Sequence, residues 1–441
     1  MGAGYRQRHG YLLIRSLFLL ICIPVPLLAD DLISTYQLAL LQSPEMRILE
    51  AEMQSGEANR RIALAGLLPS LEISAQQSGN TRESILPVAA PDTYSSLGYS
   101  LSLTQPLYDG SASSTYDAAR LESNRAAYLY QSRRQNLMVE LARAYFQLLS
   151  AQSNLQLAKS EHEALTLQLK DTKKRYRLGL NTMMEVHETQ ARFDLSSANI
   201  LVISQQLDTY REQLALFTGQ APGPLRSQLD NMVLYSPDPV SIVEWEQLAR
   251  QHHARLKASL AATAAARARL SAQQKAHLPT LELGYDYKHS SNDGSSPLEQ
   301  NTQSLAVEFT LPLYSGGETS ARVALARALL HKSRAEEELI HRQVLGAVRQ
   351  DYLRLKSTIN RVKALRRALM SQQSSLKATE VGIRIGKRTN LELLNARQEM
   401  LNAKYNYNRA RYDYLVTTLE LYRSAGILDE TKLQMVNNWL Q

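Results

Sequence analysis

The sequence holds no proline between Pro106 and Pro222, and none after Pro312. Proline ends helices because it lacks an N–H and its ring collides with the preceding turn. Runs of this length without it therefore point to very long helices. Residues 111–178 carry neither glycine nor proline, and 318–385 carry only Gly346 and Gly382. At 1.5 Å per residue each run makes a rod of about 100 Å. A compact domain is far narrower, so such rods must pack sideways, as in a coiled coil or bundle. Leu137, Leu141, Tyr145 and Leu148 recur at helical spacing, between charged faces. An all-β fold and a doubly wound α/β fold are excluded, since both need far more frequent turns. With 44% apolar residues the chain is not disordered either.

The chain is also written twice. Leu68-Pro69-Ser70-Leu71-Glu72-Ile73 returns as Leu278-Pro279-Thr280-Leu281-Glu282-Leu283. Thr104-Gln105-Pro106-Leu107-Tyr108-Asp109-Gly110 returns as Thr310-Leu311-Pro312-Leu313-Tyr314-Ser315-Gly316. Arg177-Leu178-Gly179 returns as Arg384-Ile385-Gly386, and Glu185 then matches Glu392. Matches in one order at nearly constant offset define a repeat much longer than a solenoid unit. We expect a first repeat over 30–228, a second over 229–426 and a short C-terminal segment, 427–441. Each repeat should hold a first helix (31–67 or 241–277), two strands, a long helix, a glycine break, and a last helix (182–218 or 388–425).

The strands are read from period-2 alternation. Leu97, Tyr99, Leu101 and Leu103 alternate with Gly98, Ser100, Ser102 and Thr104, and Leu305, Val307 and Phe309 with Ala306, Glu308 and Thr310. Strands are expected at about 70–78, 96–107, 280–289 and 302–313, with polar loops at 79–95 and 289–301. Their length suits a tilted transmembrane strand. Ordinary hairpins on a soluble core are the alternative. Four strands cannot close a barrel, and lipid tolerates no open sheet edge. Transmembrane strands would therefore force several chains into one barrel: eight strands from two chains, twelve from three.

The first 29 residues read as an export signal. Arg6, Arg8 and Arg15 precede an apolar run from Leu17 to Leu28, with cleavage expected after Ala29. Pro24 and Pro26 interrupt that run, which is too short for a membrane-spanning helix. Cys22, the one cysteine, lies inside it, and Ile21 before it does not suit a lipidation site. The mature chain would then have no disulfide, no cysteine-bound zinc and no thiol chemistry. Loss of the three arginines lowers the net charge from +8 to about +5. No dense basic tract or base-stacking motif accompanies it, so no nucleic-acid partner is expected.

Taken in order, Leu68-Pro69-Ser70-Leu71, Gln105-Pro106-Leu107-Tyr108-Asp109-Gly110, Arg175-Tyr176-Arg177-Leu178-Gly179-Leu180, Leu278-Pro279-Thr280-Leu281, Leu311-Pro312-Leu313-Tyr314-Ser315-Gly316-Gly317, Gly386-Lys387-Arg388-Thr389 and Asn402-Ala403-Lys404-Tyr405-Asn406-Tyr407 resemble the TolC family of outer-membrane channel-tunnel proteins. The resemblance covers nearly all of the mature chain. It implies a mainly α fold with a membrane β-barrel. A homotrimer would form a 12-stranded barrel in outer-membrane lipid, continuous with a long α-helical tunnel in the periplasm of a Gram-negative bacterium. Such a duct passively passes substrates expelled by an inner-membrane resistance-nodulation-division (RND) or ABC transporter through a periplasmic adaptor, in drug efflux or type I protein secretion.

The resemblance also implies roles at the far tip. Glu185 and Arg388 match a gating contact between neighbouring coiled coils, and Ile383 stands where the family often has a tyrosine. Glu392 and Asn395 match two acidic positions that line the pore. Asn395 departs from that pattern, and Glu188 is its counterpart in the first repeat. A ring of Glu392 carboxylates would select cations and bind divalent metals. Leu178, Gly179, Leu180, Ile385, Gly386 and Lys387 are the expected adaptor-docking turns. No cofactor and no structural metal are expected. An enzyme is disfavoured because no His-Glu-x-x-His, nucleophile elbow or phosphate-binding loop is present. A secreted coiled-coil or adhesin-like protein is the remaining alternative, and it leaves the amphipathic strands unexplained.

Overall fold

A computed structural model of the chain describes residues 31–82, 92–225, 232–294 and 297–439. The expected leader, 1–29, lies outside the described residues. Each half carries the same order of elements. The first has α1 (Leu32–Gln42), α2 (Pro44–Ala65), β1 (Ser70–Arg82), β2 (Asp92–Tyr108), α3 (Gly110–Arg177) and α4 (Met183–Thr218). The second has α5 (Ile242–His252), α6 (Ala254–Lys275), β3 (Thr280–Asn292), β4 (Leu298–Thr310), α7 (Glu318–Arg384) and α8 (Asn390–Ser424). A last helix, α9 (Glu430–Asn438), stands in the segment from which no structure was expected.

Two expectations need correction. The first helix of each half is broken once, at Ser43 and at His253, both extended at ψ near 115° (118° and 114°). Ser43 caps α2 through its hydroxyl, which accepts from the Met46 N–H, and Pro44 fits the first helical position, where no N–H is needed. The strands are longer than the alternation suggested. Residues 79–82, 92–95, 289–292 and 298–301 are strand, not loop. Apart from Gly79 and Leu298 they are polar or tyrosine, but the backbone ladder continues through them: Gly79 pairs with Ser95, and Ser291 with Glu299. At its other end β4 stops at Thr310, short of the expected 313.

The long helices hold as read. α3 has 68 residues and starts on Asp109, whose carboxylate accepts from the Ser111 and Ala112 N–H groups at 2.8 Å. α7 has 67 residues and leaves a left-handed Gly317. Both run from the sheet to the hairpin turns at the opposite end. In the upper half, next to the sheet, the lateral order is α2-α3-α6-α7, and in the lower half it is α4-α3-α8-α7. The wall is one helix thick, except at a collar midway along α3.

There α1, α5 and α9 lie against the middle of α3 and α7 and the ends of α4 and α8. Trp245, Tyr36, Tyr145 and Tyr414 are fully buried there. Trp245 donates to the Pro239 carbonyl at 2.6 Å, and Trp439 stacks on Tyr235 with ring centres 5.5 Å apart. Asn437 fastens the two ends of the chain: its side-chain oxygen accepts from the Leu32 N–H at 3.0 Å, and its amide donates to Asp31 at 3.1 Å.

The four strands form one antiparallel sheet in sequence order. Register aligns one apolar face across all of them. Leu71, Leu103, Tyr285 and Leu305 make one row, and Ile73, Leu101 and Tyr287 begin the next. The other face is polar. There Ser74 pairs with Ser100 at 2.9 Å, and Ser102 donates to Asp286 at 2.7 Å.

His253 fills the second kink, under the left-handed Gly426 that ends α8. A Cβ on Gly426 would come within 2.5 Å of the His253 backbone. Burial, reinforced by Arg255 and Arg423, holds the imidazole down to about 4, and its Nδ1 has no hydrogen-bond partner. The folded chain thus resists a proton that the unfolded chain takes up near pH 6.5. Stability from this group is present above that pH and is lost as pH falls toward 4. The loss is roughly 3 kcal/mol. We expect His253→Gln to shrink the fall in melting temperature between pH 7 and pH 4 relative to wild type. An identical fall in both proteins would remove His253 as its source.

Candidate functional site

Two features are candidates for function: the amphipathic sheet with its edges, and the hairpin tips at the opposite end. β1 and β4 each have a neighbour on one side only. Every residue of β4 is exposed. Apolar side chains stand open on both edges, among them Ile73 at 78% and Leu305 at 73% exposure. The same holds down the flanks, for Leu201 and Val202 on α4 and for Leu339, Leu353 and Met370 on α7. No helix among the described residues is long and apolar enough to cross a membrane.

The sheet's apolar band has defined limits. Toward the α-helices it ends at Tyr108, Leu281 and Phe309, which share a row. Toward the far rim it gives way to Tyr99, His289 and Asn301, then to a mixed row of Gln77, Leu97, Ser291 and Glu299. Tyr99 stacks on His289 at 4.6 Å, and His289 hydrogen-bonds Asn301 at 2.8 Å. Aromatic and polar groups at both limits of an apolar band match the aromatic girdles of a membrane barrel.

At the other end, α3 and α7 stop in the same way. Gly179 and Gly386 are left-handed at φ 73°, where side chains other than glycine are strained. The Leu180 N–H returns to the Arg175 carbonyl at 2.9 Å, and the Lys387 N–H to the Gly382 carbonyl at 2.8 Å. The Gly179 and Gly386 N–H groups close the inner bonds to Tyr176 and Ile383, each at 2.9 Å. These are Schellman closures. They turn Leu178, Leu180 and Ile385 outward, with Leu180 at 72% exposure. Lys387 is exposed beside them.

The helices that leave the turns begin on capping boxes. Thr182 Oγ1 accepts from the Glu185 N–H at 3.3 Å, while Glu185 accepts from the Thr182 N–H at 2.8 Å. Thr389 and Glu392 repeat this at 3.3 and 2.7 Å. Threonine three residues before glutamate is a signal legible in the sequence for both boxes, and the glycine breaks alone do not reveal it.

The tips differ in charge. Arg388 reaches Glu392 within the same chain at 2.6 Å, and Glu185 makes no ion pair among the described residues. The bond from the Thr389 N–H, then Arg388, holds the Glu392 carboxyl below the usual range. Gly382 makes room for Arg388, since a Cβ there would meet the arginine Cγ at 2.5 Å. The counterpart of Arg388 in the first half is Asn181, whose buried amide nitrogen has no partner. Asn395 accepts from Arg192 at 2.7 Å, a link between α8 and α4 that no spacing in the sequence announced. Glu188, in the second turn after the Thr182 cap, and Ile383, in the last turn before the Ile385 cap, stand half-buried.

The sequence model of the family described as "Outer membrane efflux protein" matches residues 35–220 and 245–427, one block in each half. The outer membrane protein TolC of Vibrio cholerae is 29% identical over 94% of this chain and 94% of its own. The protein PrtF of Dickeya chrysanthemi, a proteases secretion protein, is 27% identical over 94% of this chain and 92% of its own. Among solved structures, the Campylobacter jejuni CmeC outer membrane channel superposes with a TM-score of 0.78 at 17% identity, covering 93% of this chain and 90% of that one. The Vibrio cholerae outer membrane protein VceC gives 0.75 at 19% identity, covering 90% and 96%.

Removing one cap tests the tip geometry. Thr389→Val keeps the side-chain shape but loses the bond to the Glu392 N–H, at a cost of about 1 kcal/mol to the start of α8. Amide exchange over 390–393 should quicken while that over 183–186 stays unchanged. Equal protection in the variant and the wild type would show that the box does not hold the tip.

Proposed function

The chain belongs to the outer membrane efflux protein family, and on that premise we propose that three copies close edge to edge into one conduit whose helical tip is both gate and docking surface. The protein is an exit duct of the Gram-negative outer membrane, serving efflux or type I secretion. It works with a periplasmic adaptor and an inner-membrane transporter, which supplies the energy.

The apolar face of the sheet with its two open edges carries the reading of a closed ring. In lipid an unpaired edge has nothing to bond with, so β4 of one copy must meet β1 of the next. Ring size supports three. Two copies would give eight strands, whose interior side chains fill. Three give twelve and leave a lumen, with the polar Ser and Asp face lining it. A secreted coiled-coil protein would have no use for an apolar sheet face of this height.

At the tip, Leu178, Gly179, Leu180, Ile385, Gly386 and Lys387 form the adaptor-docking surface, with exposed apolar residues beside one cation. Glu185, Arg388 and Ile383 form the gate. Arg388 is held by its own Glu392 in the single chain, and in the ring it is shared with Glu185 of an adjacent hairpin. Each such surface pair contributes about 0.2–1 kcal/mol, so three copies hold a closed state that adaptor binding can overcome. Glu392, Asn395 and Glu188 line the narrowed pore. Asn395 leaves its ring neutral, so cation selectivity falls to Glu392, with RND or ABC transporters deciding what enters above it.

Fractionation, oligomer mass and single-channel recording in planar bilayers test the duct. A trimer in the outer membrane with a defined conductance is expected, and a soluble monomer that forms no pore would overturn the reading. Arg388→Ser should raise both conductance and cation selectivity, because it frees the gate and unmasks Glu392. Glu392→Ala should lower selectivity and weaken block by divalent cations. An Arg388→Ser channel identical to wild type would take Arg388 out of the gate.

A further inference from the structure

Just below the collar, one cavity of about 640 Å³ touches α4, α3, α8 and α7 together. A hollow that reaches four helices in lateral order lies on the concave side of the sheet they form. The helical phase of α3 agrees. Leu141, Tyr145 and Leu148 face the collar helices, whereas Arg143, Gln147 and Asn154 line the cavity, about half a turn away. The collar covers the convex side, so the cavity opens toward the tunnel.

Its chemistry is specific. Four guanidinium groups, Arg143, Arg354, Arg361 and Arg409, stand against two carboxylates, Asp413 and Glu420. Glu420, buried at 4% exposure, takes up both Arg143 and Arg354, the latter at 3.0 Å. Arg361 approaches Asp413 only to 3.6 Å, and Arg409 acts on the same carboxylate without forming an ion pair with it, so two guanidinium groups share one acid. The lining thus carries excess positive charge at Arg361 and Arg409. Its aromatic lining is the half-buried Tyr210 and Tyr405, backed by Phe146 and Tyr412, which are buried and stacked 5.9 Å apart. The volume is that of a small-molecule site, and guanidinium groups bind carboxylates and stack on rings.

We propose that this cavity binds small organic anions that carry an aromatic ring, as a way station in the tunnel wall. The anionic group meets Arg361 and Arg409, and the ring lies against Tyr210 and Tyr405. The proposal rests on the duct reading for its place in the transport path. Binding is weak enough for release, as conduction through a site requires. Arg361 and Arg409 lie open to water, so they can exchange one solute for the next.

Equilibrium dialysis of the full chain in detergent tests binding, with 2-naphthoate as the probe and neutral 2-naphthamide as its control. A charged hydrogen-bonded contact predicts naphthoate binding about tenfold tighter than the amide. Raising the salt to about 1 M should weaken naphthoate alone. In the Arg361→Gln/Arg409→Gln double variant the preference should vanish. Equal binding of acid and amide by wild type overturns the proposal without any variant, and a preference kept by the double variant overturns its location. Single-channel recording separates the two readings. No conductance at all defeats the duct, whereas a normal conductance with no brief blocks by naphthoate defeats the way station alone.

Discussion

The unpaired backbone along β1 and β4 governs the whole architecture. Hydrogen-bonding groups on a sheet edge need partners, and a membrane supplies none. Closure into a ring meets that need and constrains the wall beneath it. Every strand is joined directly to a helix: α2 to β1, β2 to α3, α6 to β3, and β4 to α7. Helices pack 8–10 Å apart and strands about 4.8 Å apart. The wall must therefore change its lateral spacing at each junction, and the junctions are where Pro69, Pro106, Pro279, Pro312 and the Gly316-Gly317 pair occur. The other prolines fall in the leader, at the Ser43 kink, in the loops between strands and in the segment that joins the two halves, and none falls inside α3 or α7.

The repeat shows which features are geometric and which are chemical. Both halves keep the Schellman closure and the threonine–glutamate box at the tip. Both keep a kink near the collar and a left-handed glycine at the end of the last helix. The side chains at matching positions differ. Ser43 caps its helix whereas His253 does not, and Asn181 is unpaired where Arg388 holds Glu392. A ring built from such chains alternates two kinds of hairpin, and the Arg388–Glu392 pair belongs to one of each two.

How much was legible depends on range. α3 and α7 were readable to within a residue because break-free runs are a local property. The apolar sheet face was readable because period 2 is local as well. The strand ends were not, since Asn80 and Ser290 gain their place from backbone pairing across the sheet and not from their own side chains. The break at Ser43-Pro44 was missed although a serine before a proline is a local mark of a helix start, while the matching break at His253 has no such mark. At the tip, glycines and caps are local and could be found. Arg192 with Asn395, and Arg143 and Arg354 with Glu420, join helices distant in sequence, and only the lateral order of helices brings them together.

A wall one helix thick has nowhere to bury large side chains, and that limits where stability can reside. The bulky buried residues Trp245, Tyr36, Tyr145 and Tyr414 gather at the collar, the one level with a second layer. From Leu149 at its lower edge to Arg177 lies a further stretch of α3, roughly 40 Å long, backed only by α4 and α8. Along α7 no residue beyond Val362 is buried within the single chain. The collar can thus hold ring and membrane end rigid while the hairpins below it move, because few apolar contacts resist their separation. Tip and sheet are set apart by that distance, and the Arg388–Glu392 pair lies at the end with the fewest buried contacts.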